Sequence, residues 1–403
     1  MDHEELKIRE DLDFFPVQSD GGMIVMIQDR LGLVEKGKYI SPELYQLMIT
    51  LNGNRSVRDI QLDLIRQQGG SLVSIEEVQG LMENLDSSYL LDSSRFKKAR
   101  QEIISDFSAQ TIRHCSHAGQ SYPRQEEELH QRLDTILSSQ DEIVPSYGNI
   151  IGLVAPHIDL EAGRRIYSTA YQAIKGVRPE RVIILGVGHS MRKEMMSLTT
   201  KIFETPLGRV ETDKKAVGEL MRAGKDILLK DDFAHRDEHS IEFQLIFLQH
   251  ILQDVSFTII PILCGSLIGY LPEYNRERYI SIGHDFLTIL ADFMQDDKTV
   301  VIAGIDLSHV GPKFGHDMPA SFIINESERH DKQLLHCLCT RDSHGFWSES
   351  ERIKDRYNVC GFSALACLLE ILPSCHGHLL GYEVFKEEPT RSAVSFAAAV
   401  FTQ

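Results

Sequence analysis

The sequence predicts an α/β protein: a layered, mainly parallel sheet flanked by helices, preceded by a small α+β module. Three observations carry that prediction. From Asn149 onward, apolar β-branched runs alternate with helix-period patterns, the mark of strand–helix–strand units. Three of those runs lead straight into polar motifs: Ala155-Pro156-His157, Leu185-Gly186-Val187-Gly188-His189 and Asp306-Leu307-Ser308-His309. Open α/β sheets bind ligands at such strand ends. The N-terminal part has a different texture, a short strand followed by three capped helices.

In chain order, the small module spans 11–95. Met23 to Ile27 reads as a strand, Asp29 to Gly32 as a turn and Leu33-Val34 as its return strand. Ser41-Pro42 starts a helix, with Ser41 as N-cap and Pro42 at the first helical position. Leu44, Leu47, Met48 and Leu51 share one face, and Asn52-Gly53 stops it. Ser56-Val57 opens a second helix with Ile60, Leu64 and Ile65 inward, stopped at Gly69-Gly70. Ser74-Ile75-Glu76-Glu77 is a capping box for a third, carrying Val78, Leu81, Met82 and Leu85. Residues 96–112 read as a helical linker and 113–403 as the α/β domain. There, a turn at 118–123 and a charged helix ending at Leu137 precede strands at 150–154, 182–185, 257–263 and 299–305. Helices over 162–174, 238–252, 279–294 and 362–372 fill the gaps.

Composition narrows the function. With 42% hydrophobic and 25% charged residues, the chain has the balance of a soluble globular protein. A net charge of -17 argues against nonspecific binding to nucleic acid or to anionic membrane. No apolar run approaches a membrane span, and the acidic N-terminus (Asp2, Glu4, Glu5) lacks a signal-peptide pattern. The seven cysteines are scattered and odd in number, which fits a reducing, cytoplasmic setting.

The chemistry-bearing candidates are His157, His189, His239, His309 and Cys360. Imidazole and thiolate are ligands for zinc, iron and copper, so strand-end histidines point to a mononuclear metal site; the competing reading is structural histidines. Glycines beside His189 allow close backbone approach. Cys360-Gly361 precedes an apolar helix whose N-terminus would favour a thiolate; the alternative is a buried structural cysteine. His239, in Asp237-Glu238-His239-Ser240, could serve as a general base near pH 7 or as part of a helix cap. Asp306, Ser308 and His309 end an apolar strand and are expected at the crevice mouth, orienting a ligand or binding substrate. His235, His250, His284, His316, His330, His336, His344, His376 and His378 read as ordinary hydrogen-bonded residues, and the Cys337/Cys339 pair points apart along a helix.

Taken in order, the motifs resemble the Memo family, called AmmeMemoRadiSam system protein B in bacterial and archaeal genomes. The resemblance rests on Ala118-Gly119-Gln120-Ser121-Tyr122-Pro123, Ala155-Pro156-His157, Leu185 through His189 and Thr205 through Asp213. It continues with Glu238 through Leu248, Asp306 through Gly311, Cys360-Gly361 and Ala393 through Ala398. Two departures stand out: Ile158-Asp159-Leu160 sets a carboxylate, Asp159, near His157, and Gly186-Val187-Gly188-His189 replaces a Gly-Pro-Ser-His form. Memo domains are similar to class III extradiol dioxygenases. That likeness implies His157, His189 and Cys360 as metal ligands and His239 as the base. It implies iron or copper as cofactor, with zinc also compatible, and a cysteine where the dioxygenases use a carboxylate. It further implies a radical SAM protein and an AMMECR-type protein as partners. A non-catalytic peptide- or metal-binding adaptor and a zinc-dependent hydrolase are the alternatives. The N-terminal pattern resembles the PqqD-like winged-helix module, which implies a peptide held against its hairpin.

Overall fold

The computed structural model describes residues 6–19, 22–67, 69, 71–139, 147–191, 194–267 and 275–403. The chain divides into two compact units, 1–109 and 110–403. No helix of the described residues is long and apolar enough to cross a membrane.

The first unit contains β1 (Leu12–Ser19), β2 (Gly22–Asp29), β3 (Tyr39–Ile40), α1 (Pro42–Met48), α2 (Val57–Gln67), α3 (Ile75–Ser87) and α4 (Ser94–Ala109). Its sheet has the order β1-β2-β3, all antiparallel. The expected caps form: Ser41 accepts the Leu44 N–H, and Ser74 and Glu77 close a reciprocal capping box. Gly69 turns the chain after α2 at φ +66°, while Gly70 lies outside the described residues.

One expectation is corrected. Leu33-Val34 is not the return strand; the hairpin partner of β2 is β1, in register from Leu12↔Asp29 to Ser19↔Gly22. The reason is Asp29. Its carboxylate accepts the N–H groups of Leu31, Leu33 and Val34, at 2.8 to 3.0 Å, so these donors are not available to a ladder. Arg9, itself 2% exposed, pairs with Asp29 and Asp11 and stacks over Phe96 at 4.1 Å. Pro16 lies inside β1, which an edge strand tolerates.

The second unit opens with β4 (Ile112–Arg113) and α5 (Glu126–Leu137). It continues through β5 (Ile150–Ala155), α6 (Arg164–Ala173), β6 (Arg181–Val187), β7 (Met196–Leu198), β8 (Ile202–Thr205), β9 (Gly208–Val210), α7 (Lys214–Ala223) and α8 (His239–Ile251). There follow β10 (Thr258–Cys264), α9 (Arg276–Phe293), β11 (Thr299–Gly304), β12 (His309–Val310), α10 (Ile324–Cys339), α11 (Ser343–Ile353), α12 (Phe362–Ile371), β13 (His376–Glu387) and β14 (Ser392–Thr402).

The main sheet runs β12-β14-β5-β11-β6-β10-β7, with β13 added on β14. The strands read from the sequence, β5, β11, β6 and β10, form its parallel centre. Antiparallel strands flank them, and the β13/β14 hairpin was not assigned from the sequence. Central strands are apolar on both faces because both are covered. Ile183, Leu185 and Val187 join the core under α7, α9, α10 and α12, whereas Val182 and Ile184 join that under α6 and α8. A small second sheet, β4-β8-β9, carries the fully buried Arg113.

Candidate metal centre

The site forms where β5, β6 and β11 end side by side. Asp306 holds two of these ends together, its Oδ1 accepting the N–H groups of His157 (3.1 Å) and Ile158 (3.3 Å). His157 is 3% exposed, and its Nδ1 lies 2.9 Å from the Gly304 carbonyl. A carbonyl only accepts, so Nδ1 carries the proton and Nε2 keeps its lone pair. That Nε2 lies 3.5 Å from Cys360 Sγ and 3.7 Å from Asp306 Oδ2.

His189 follows β6. A Cβ at Gly186 would stand 2.6 Å from Ser240 Oγ, so glycine lets the start of α8 sit against this strand. Ser240 Oγ accepts the Val187 N–H at 2.9 Å. Glu238 caps α8 by accepting the Ser240 N–H, and it also faces His189 Nδ1 at 3.0 Å. Burial works against the charge on Glu238, but His189, His239 and the Ser240 N–H hold its carboxyl well below the usual range. The ionised carboxylate fixes a proton on His189 Nδ1 and leaves Nε2 as the nitrogen open to a metal, the carboxylate–histidine arrangement that orients metal ligands.

Cys360 reaches the same point because Gly361 packs against the residues just after β11: a Cβ there would stand 2.6 Å from both the Asp306 carbonyl and Ile305 Cβ. The expectation of a thiolate at the start of α12 is corrected. Burial, reinforced by Asp306, pushes this thiol well above its ordinary value, and Sγ donates to the Asp306 carbonyl at 3.4 Å. Without a metal, the neutral thiol is the stable form.

Donor atoms of His157, His189 and Cys360 all lie within 4.8 Å of one another. His189, Glu238 and His239 form a second such group, sharing His189. Glu238 is already committed as helix cap and His189 partner, so the first group is the better ligand set. Two imidazoles and a thiol suit zinc, copper or iron.

His239 lies beside this set, its ring centroid 5.0 Å from those of both His157 and His189. Burial holds its imidazole well below the usual value despite the adjacent Glu238, so it is neutral at pH 7. His309 donates from Nδ1 to the Leu307 carbonyl at 2.9 Å, and burial lowers its imidazole too. Ser308 faces away from the crevice: its Oγ donates to the buried Asp331 at 2.6 Å. Asp159 is exposed, and its Oδ1 accepts the N–H groups of Glu161 and Ala162 in the turn before α6.

Two features escaped the sequence reading. Glu238 adjoins His239, so the acidic neighbour was visible but its helix-capping geometry was not. His117 lies tilted against His239, with centroids 5.4 Å apart, and its backbone N–H is held by Glu242 Oε1 at 3.0 Å. Glu242, fully buried on α8, also takes Arg113, Tyr122 and the Ser116 N–H. The sequence separation of about 120 residues hides that clamp.

Comparison with known proteins agrees with this architecture. The family model described as Memo-like protein matches residues 113–400, starting at the buried arginine of the clamp. A MEMO1 family protein of Aquifex aeolicus is 30% identical over 391 residues, covering 96% of this chain and 98% of that protein. A MEMO1 family protein of Nitrosopumilus maritimus is 27% identical, covering 70% of this chain but 97% of its own length. The protein memo-1 homolog of Caenorhabditis elegans is 29% identical over 64% of this chain and 70% of that protein. On these matches, the chain belongs to the Memo-like protein family.

Proposed function

We propose that this protein binds one metal ion through His157 Nε2, His189 Nε2 and Cys360 Sγ, and uses iron or copper there for redox chemistry. The convergence of three donor atoms within 4.8 Å carries the reading. A bound iron or copper would supply the change of oxidation state. The soft sulfur donor favours such metals over magnesium or calcium. Glu238 and the Gly304 carbonyl set the two ligand tautomers. Neutral His239, 29% exposed at the rim, is placed to take a proton from a substrate.

The test is spectroscopic. Copper(II) added to the protein is expected to give a sulfur-to-metal charge-transfer band that Cys360→Ser removes. His239→Ala should keep that band while losing any turnover; loss of the band in His239→Ala would make His239 a ligand and not a base. Zinc as the resident metal would turn the reading toward hydrolysis by activated water.

By family resemblance, a radical SAM protein and an AMMECR-type protein are the expected partners, to be sought by co-purification in a cytoplasmic extract. The first unit is read as a PqqD-like peptide holder. β1 and β3 are the edges of its sheet, and β1 exposes Phe15 and Val17.

A further inference from the structure

A cavity of about 600 Å³ between α10 and α11 shares no lining residue with the metal centre. Arg329, Arg352 and Arg356 line it, with Glu326, Glu349, His330 and Tyr357. Three guanidinium groups around one cavity run against the chain's overall charge of -17.

Both carboxylates of this cavity already take donors. Glu349 takes His330 Nδ1 at 2.8 Å and a two-point contact from Arg352, at 2.9 and 2.7 Å. Glu326 takes the Tyr357 hydroxyl at 3.2 Å and Arg356 at 3.4 Å. The donors are not committed to the same degree. A guanidinium offers five N–H groups, and Arg329 forms no salt bridge among the described residues, donating only its Nε to Asn325. His330 is 3% exposed; its Nδ1 donates to Glu349, so its Nε2 is an acceptor, without a partner among the described residues, that a protonated oxygen of an anion can satisfy. A buried polar atom without a partner is rare enough to require a reason.

We propose that this cavity binds a small polyvalent oxyanion of the phosphate type, free or as a monoester. Surplus planar donors from three arginines match an anion that offers several oxygens, and the exposed heads of Arg352 and Arg356 can converge on it.

The test is calorimetric titration of the full chain with inorganic phosphate and, separately, glycerol 3-phosphate. Both are repeated on Cys360→Ser, so that binding at a metal is told apart. One saturable site is expected in wild type and in Cys360→Ser, and the tighter probe identifies the source. Affinity should fall at least about tenfold in Arg329→Gln/Arg356→Gln, since each charged hydrogen bond lost weakens binding by roughly that factor or more. Arg329→Gln alone, which leaves every ion pair of the cavity intact, should weaken it in the same direction. Lys175→Gln/Arg178→Gln, in the separate basic cavity beside His130 and His250, should change nothing. Absence of saturable binding by either probe, undiminished affinity in both arginine variants, or loss confined to the Lys175/Arg178 variant would overturn the proposal.

Discussion

At the scale of single residues, the site depends on which nitrogen of each imidazole is free. Glu238 decides this for His189, so Glu238→Gln should lower metal affinity by roughly 10- to 100-fold without unfolding the chain, as changes behind metal ligands commonly do. Competition with a chelator of known affinity measures it, and unchanged affinity would remove Glu238 from the account. His235 yields a pH prediction. It is 1% exposed, and burial lowers its imidazole from 6.5 to about 4. Between these values the unfolded chain binds more protons, so stability falls as pH drops from 6.5 towards 4. Denaturant unfolding at pH 7 and pH 4.5 should show wild type losing about 2–3 kcal/mol more than His235→Leu. That His157, His189 and Cys360 converge was legible in the sequence, since each sits beside a strand end or a Gly. Their protonation was not: the Cys360 thiol is raised by side chains that only the fold brings near it.

At the scale of elements, glycines set how closely strands and helices meet. Gly361→Ala would press a methyl against the Asp306 carbonyl oxygen and the Ile305 Cβ, a backbone atom and a side-chain root that cannot swing aside. A cost of about 1–3 kcal/mol and a weakened metal site are expected, against a small effect for Ala at Gly176, where a Cβ meets nothing within 4 Å. The Arg113–Glu242 pair ties β4 to α8 from full burial. Arg113→Ala leaves that carboxylate unpaired by its main cation and should cost about 3–5 kcal/mol. Thermal or denaturant unfolding decides both. The helices with Ser caps and the four central strands could be read directly, because capping and apolar runs are local signals. β1 was hidden by Pro16, and Leu33-Val34 mimicked a strand until Asp29 claimed its N–H groups. The β13/β14 hairpin was missed because small residues such as Ala397, Ala398 and Ala399 carry little strand preference, although all three are fully buried.

At the scale of the whole molecule, the chain divides at 109/110, and the Memo-like match lies wholly in the second unit. The Nitrosopumilus relative is matched over 97% of its length while covering 70% of this chain, so a protein of this family can be nearly a third shorter than this chain. Residues 110–403 alone should therefore fold cooperatively and hold as much metal as the full chain. A fragment that is folded but metal-free would show that the first unit contributes to the site. The sequence reading set 96–112 apart as a helical linker, whereas the structure places the helix Ser94–Ala109 in the first unit, where Phe96, Ile104 and Phe107 are buried. The clamp from Arg113, Ser116 and Tyr122 onto α8 was not legible in the sequence, because no local pattern links residues so far apart.

The most direct test of the central claim is metal content by mass spectrometry, on protein purified without oxygen and on Cys360→Ser and His157→Ala prepared alongside. The account predicts close to one iron or copper per chain in wild type and a marked loss in both variants, with the fold retained. Full metal content in either variant, or none in wild type, would contradict it.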